Sequence, residues 1–196
     1  MLYPILTASR FVSDLSGTWS FQTDNGRGFA EKWYERPLEN GEPMPVPASY
    51  NDLKEGTALR DHYGWVFYQR TFGLPAEIRK KRVMLRCDAV THEAKVYLNG
   101  RLLCCHKGGF LPFETEISGA LEDGDNLLTI AVNNVIDFST LPVGGMADML
   151  GGSNLKGKRP VNHPNFDFFN YCGITRPVRI YTTPDDYISD VTLTCS

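Results

Sequence analysis

Apolar residues recur at every second position along much of this chain, and almost nowhere at helical spacing. A period of two places alternate side chains on opposite faces of an extended backbone, so the pattern predicts half-buried strands. Gly17 to Gln22 reads as one strand and Trp65 to Phe72 as another, the latter ending at Gly73 and Pro75. Arg82 to Asp88 sets Val83, Leu85 and Cys87 against Met84, Arg86 and Asp88. Ala94 to Leu98 sets Ala94, Val96 and Leu98 against Lys95 and Tyr97. Asn99-Gly100 is a two-residue hairpin signal leading into Arg101 to Cys105. Leu127 to Asn133, Arg176 to Thr183 and Ile188 to Thr194 complete the set. Eight or more short strands without intervening helices predict an all-β fold of two packed antiparallel sheets, a sandwich or jelly roll. The 196 residues suffice for one such domain with a real core.

Composition excludes several classes of function. Hydrophobic residues are 42% and charged residues 22% of the chain, which is ordinary for a globular protein and argues against disorder. A formal net charge of −3 gives no overall attraction to nucleic acid or to an anionic membrane. The densest basic run, Arg79 to Arg82, reads as a solvated turn before a strand. No stretch approaches the roughly 18 apolar residues of a membrane span. Met1 to Arg10 lacks the pattern of a secretory signal, and the five cysteines are odd in number and irregularly spaced. Reduced thiols in a cytoplasmic protein are therefore expected.

Chemistry-bearing residues are sparse. His62, His92, His106 and His163 share no metal-ligand spacing with one another or with the cysteines, so no metal and no cofactor is expected. Cys105 beside His106 has the residue types of a thiol nucleophile, but a buried cysteine followed by a turn histidine is the stronger reading. Val143 to Pro160 is a long, glycine-rich polar loop with few apolar anchors, predicted to be the most mobile internal segment. The most informative stretch is Asn165 to Arg176, NFDFFNYCGITR, where Asp167 and Asn170 stand among four aromatic rings. Rings with a few convergent polar groups can hold a sugar, and equally can be a structural turn whose polar groups satisfy backbone amides.

The stretch Asp167 to Pro184, DFFNYCGITRPVRIYTTP, resembles the segment that closes the N-terminal domain of family 2 glycoside hydrolases of the β-glucuronidase type. LSGTWSF (Leu15 to Phe21), VPASYND (Val46 to Asp52), GWVFYQRTF (Gly64 to Phe72), LRCDAVTHEAKVYLNG (Leu85 to Gly100) and GGFLPFE (Gly108 to Glu114) fall in the matching order. The resemblance implies a galactose-binding-domain-like jelly roll over residues 1–184. Residues 185–196 would then begin the connection to an immunoglobulin-like domain and a (β/α)8 barrel. It also implies a homo-oligomeric whole protein that hydrolyses β-glucuronides with retention, using two glutamates on the barrel. This chain has no counterpart of those glutamates, so it is expected to be inactive alone. By the same resemblance Asp167 is a substrate-binding carboxylate that reaches the barrel's site. Phe168, Phe169, Asn170 and Tyr171 are its support, and the 143–160 loop borders the entrance. Cys172 departs from the family, which often has alanine there. The alternatives are a free-standing carbohydrate-binding module, a purely structural domain, or the equivalent domain of the sister β-galactosidases.

The cysteine reading predicts that thiol titration of the denatured, unreduced chain yields five equivalents; three would reveal a disulfide and overturn it.

Overall fold

A strand with two apolar faces must be covered on both sides, and β-strands in this chain solve that problem in different ways. The computed structural model describes residues 3–53, 56–146, 162–165, 167–188 and 191–195. Among them are β1 (Val12–Asp14), β2 (Gly17–Thr23), β3 (Glu42–Val46), β4 (Trp65–Gly73), β5 (Arg82–Cys87), β6 (Val90–Thr91) and β7 (Glu93–Leu98). There follow β8 (Arg101–Lys107), β9 (Phe113–Glu116), β10 (Asp125–Asn133), β11 (Gly144–Met146), β12 (Asn162–Pro164), β13 (Gly173–Ile174) and β14 (Val178–Thr183). Helix is confined to single turns, chiefly α1 (Thr57–Arg60) and α2 (Ala76–Arg79).

The larger sheet runs β3-β2-β4-β10-β7-β8 and the smaller β1-β14-β5-β9, with two-stranded pairs β11-β12 and β13-β6. Every pairing is antiparallel. Asn99 and Gly100 close the β7–β8 hairpin with φ of 50° and 80°, the left-handed values that a two-residue turn requires. Val83, Leu85 and Cys87 of the smaller sheet meet Ala94, Val96, Leu98, Leu128, Ile130 and Val132 of the larger in one core. Trp19, also in that core, donates its indole N–H to the Leu15 carbonyl at 2.8 Å. The expected β-sandwich of two packed sheets is the observed fold.

The outer face of the larger sheet is also covered. Phe67, Tyr97 and Ala131 are buried there beneath Phe29, Trp33, Tyr34, Leu38 and Trp65. Tyr34 stacks on Tyr97 at 4.2 Å, and Trp33 meets Phe67 edge-on at 5.4 Å. Burying Phe67 stabilises by about 1.5–3 kcal/mol. Gln69 of β4 fastens this flap from below. Its amide donates to the carbonyls of Trp33 (2.8 Å) and Arg36 (2.9 Å), and its oxygen accepts from the Leu38 N–H at 2.8 Å.

Met84, Arg86 and Asp88, opposite Val83, Leu85 and Cys87 along this segment, are buried as well. Charge pairing accounts for Arg86 and Asp88. Arg86 reaches Asp88 at 2.6 Å and Glu114 at 2.7 Å, while Asp88 also pairs with Arg179 of β14. The Tyr3 ring lies over Arg179 and Arg86, 4.7 and 5.8 Å from its centroid.

Three readings are corrected. Cys105 is exposed, not buried, because β8 is an edge strand whose alternate positions face outward. Cys104, its neighbour, packs on the core. Ile188 and residues 191–195 carry no ladder among the described residues, whereas alternation predicts a strand from Ile188 to Thr194. The edge of β14 is already taken by β1, and a strand gains little without a partner. Gly144–Met146 pairs with Asn162–Pro164, so the long loop begins as a hairpin, and residues 147–160, with their predicted mobility, lie outside the described residues.

Asp88→Ala leaves the buried Arg86 and the half-buried Arg179 without their shared carboxylate. It is expected to cost about 3–5 kcal/mol and to lower Tm by roughly 6–20 °C. An unchanged thermal melt would show that the cluster contributes nothing to stability.

Candidate functional site

Three irregular segments converge where the chain leaves the sheets: the 48–52 turn before α1, the end of β10 at Asn133-Asn134, and the stretch from Asp167 to Ile174. Backbone bonds tie the first to the third. The Ala48 N–H donates to the Ile174 carbonyl at 2.9 Å, and the Tyr50 N–H to the Cys172 carbonyl at 3.1 Å. Gly173 makes the close approach with φ of 113°; a Cβ there would fall 2.4 Å from the Tyr68 hydroxyl. Glycine alone fits such a position without strain.

Side-chain amides complete the scaffold. Asn51 accepts from the Cys172 N–H at 3.0 Å and donates to the Asn170 carbonyl at 2.8 Å. Asn134 accepts from the Gly64 N–H at 2.9 Å and donates to the His62 carbonyl at 2.6 Å. The Asn134 carbonyl takes N–H groups from Asn162 (2.9 Å) and Asn170 (3.3 Å). Asn162 in turn accepts from the Ile136 N–H at 3.0 Å. The Asn170 oxygen lies 2.6 Å from His92 Nε2. Because the Asn170 amide nitrogen faces a carbonyl, its oxygen must be the acceptor here, so His92 carries its proton on Nε2.

Burial holds His92 below its ordinary range, against the opposing pull of the Asn170 hydrogen bond. Burial also pushes the Cys172 thiol up to about 12. That keeps Cys172 protonated, and its S–H points to the Asn170 carbonyl at 2.9 Å.

These amides line a cleft of about 180 Å³ together with Arg60, Asp61, His62, Phe168 and Phe169. Each asparagine in its wall already has protein partners. The asparagine side chains of the cleft are thus committed to the scaffold, while Arg60 and Asp61 stand exposed at its wall.

Asp167 differs. It is exposed and forms no hydrogen bond or ion pair among the described residues. Phe169 and Tyr171 are exposed too, packed edge-on at 4.8 Å, and Phe168 is half-buried with its ring 6.3 Å from Tyr171. Phe166 lies outside the described residues. Of the four residues expected to support Asp167, Asn170 is the one whose side chain is hydrogen-bonded into the scaffold. The Tyr171 N–H closes a tight turn onto the Phe169 carbonyl at 2.9 Å.

Sequence reasoning passed over Asn51, His92, Asn134 and Asn162. Asn51 and His92 sit inside segments already quoted for the resemblance, and the Asn133-Asn134 pair at a strand end is a turn signal. Elsewhere, His106 stacks on Phe113 at 4.3 Å and its Nε2 lies 3.0 Å from the Gly108 carbonyl, so it has a structural place beside Cys105. No group of three or more His, Cys, Asp or Glu suited to a metal occurs among the described residues.

The chain is thus a two-sheet antiparallel sandwich with a polar scaffold at one end and an exposed carboxylate beside it. Residues 12–184 match the family model described as glycosyl hydrolases family 2, sugar binding domain, and the chain belongs to that family. It is 45% identical to a β-glucuronidase of Paenibacillus borealis over 99% of its own length and 33% of that protein's. Among solved structures it resembles a β-glucuronidase of an uncultured Clostridium species, with TM-score 0.86 and 46% identity over 97% of this chain and 32% of that one. It also resembles Bifidobacterium dentium β-glucuronidase, solved with coumarin-3-O-glucuronide, with TM-score 0.84 and 47% identity over 95% of this chain and 32% of that one. The chain spans about a third of the length of these relatives.

Asn51→Ala removes an acceptor from the buried Cys172 N–H and a donor from the Asn170 carbonyl. The expected cost is about 1–3 kcal/mol, a fall in Tm of roughly 2–12 °C. A melt that matches the unsubstituted chain would mean these bonds do not hold the turn.

Proposed function

We propose that this chain is the N-terminal domain of a β-glucuronidase and that, in the whole protein, it buttresses the catalytic domain and presents Asp167 to the sugar. The observation that carries the reading is the combination of 45% identity to a β-glucuronidase over nearly the full chain with an exposed Asp167 on a hydrogen-bonded turn. A carboxylate accepts hydrogen bonds and does not donate them, which suits a sugar hydroxyl. Retaining hydrolysis itself requires two carboxyl groups about 5–5.5 Å apart, which the resemblance places on the barrel. The substrate proposed is therefore a β-D-glucuronide, bound jointly by the two domains, and the domain alone does not turn it over.

The asparagines count against the reading as a free-standing carbohydrate module. A ligand that contacted their amides would displace protein hydrogen bonds, and would gain little from doing so. A cytoplasmic location and a homo-oligomeric whole protein remain part of the proposal, resting on the sequence alone.

In the full-length enzyme, Asp167→Ala is expected to lower kcat/KM toward a chromogenic glucuronide by about 10- to 150-fold, the equivalent of a charged hydrogen bond of roughly 1.5–3 kcal/mol. The melting temperature should not change, since Asp167 has no hydrogen-bond or ion-pair partner among the described residues. Normal kinetics with a lowered melt would assign Asp167 to the fold and remove it from the site.

A further inference from the structure

His92 is 1% exposed and belongs to no site described so far except as the partner of Asn170. Its backbone is pinned from two sides. The His92 N–H donates to the Asn133 carbonyl at 2.8 Å, and its carbonyl accepts the Gly108 N–H at 2.9 Å. The ring is boxed as well: a Cβ on Gly109 would come 2.8 Å from Nδ1, and the Phe110 ring stands edge-on with centroids 6.1 Å apart. The end of β10 and the Gly108–Phe110 turn therefore set where Nε2–H points, and it points at the side chain three residues after Asp167.

We infer that His92 is a positioning residue for Asp167: its Nε2–H, fixed by the sheet, holds the Asn170 amide and through it the turn that presents the carboxylate. The inference rests on the reading of Asp167 as a sugar contact. The chain of bonds is short, and the three residues of backbone from Asn170 back to Asp167 carry it to the carboxylate. Nε2–H donates to Asn170 Oδ1 at 2.6 Å, Asn170 Nδ2 donates to the Asn134 carbonyl at 3.3 Å, and Asn51 holds the Asn170 carbonyl at 2.8 Å. Without the imidazole, Oδ1 loses its one described donor and the amide is held only by its long, 3.3 Å bond to the Asn134 carbonyl. Small misplacements of a substrate-contacting group cost activity steeply.

The arrangement also explains why the imidazole stays neutral. Nδ1 is buried and has no hydrogen-bond partner among the described residues, so a second proton there would be a desolvated cation with nothing to receive it. The charged groups that bear on the ring are Asp137 and Lys107, which pair with each other at 2.8 Å.

A double-substitution cycle in the full-length enzyme tests this, assayed with a chromogenic glucuronide well below the melting temperature of every variant. His92→Ala should lower kcat/KM by roughly 10-fold, no more than Asp167→Ala does, and should cost nothing further when added to Asp167→Ala. His92→Gln, which keeps a donor near the position of Nε2, should recover most of the loss. Losses that multiply in the double variant, or a His92→Ala enzyme of full activity, would overturn the positioning role and leave the Asp167 reading intact. An Asp167→Ala enzyme of normal activity would fell that reading first and this inference with it.

Discussion

The pairing of β10 with β4 runs without a break from Asp125 opposite Gly73 to Asn133 opposite Trp65, and the rest of the molecule is arranged around it. These two strands are the centre of the larger sheet, with Leu128, Ile130 and Val132 facing one core and Phe67 and Ala131 the other. A slip of one residue would turn every side chain to the wrong face. It would also move the point at which β10 ends. Asn133 and Asn134 leave the sheet there, and from them hang His92, Asn162, Asn170 and Gly64. Register in the core thus fixes the polar end of the domain.

That polar end and the Arg86 cluster share a logic. Both bury groups that water would otherwise solvate, and both supply nearly every one with a partner. Hydrogen bonds of this sort add only about 0.5–1.5 kcal/mol each, but removing one side of a buried pair costs more than the bond contributes. They act less as glue than as constraints on which arrangement is tolerable. The Asp167 carboxylate, outside this rule, is the group whose absence the fold would not register.

The strands with clean alternation were legible in the sequence. β2, β4, β5, β7, β8, β10 and β14 all lie where period two places them, and Asn99-Gly100 turns as its residue types require. β14 begins at Val178, two residues late, because Pro177 has no N–H for a ladder. Strands of two or three residues, such as β6, β11 and β13, are too short to show a period. Burial on the second face was hidden as well. Arg86 and Asp88 look like solvent residues until Arg179, more than ninety positions away, is folded against them. The site was partly visible. Asp167 stood out as a carboxylate among rings, but the bonds that hold its turn join residues 119, 78 and 36 positions apart, and such pairings leave no mark in local spacing.

The flap over the outer face of the larger sheet has a different consequence. Between Trp33 and Leu38 its described hydrogen bonds to the sheet run through the amide of Gln69, while its rings pack on Phe67, Tyr97 and Ala131. Were those bonds lost, ring packing alone would keep a central apolar patch of the sheet covered. Contiguous apolar surface of this kind drives association between chains. The cover of that patch is therefore held in part from a position that is itself buried, where a surface survey would not look for it.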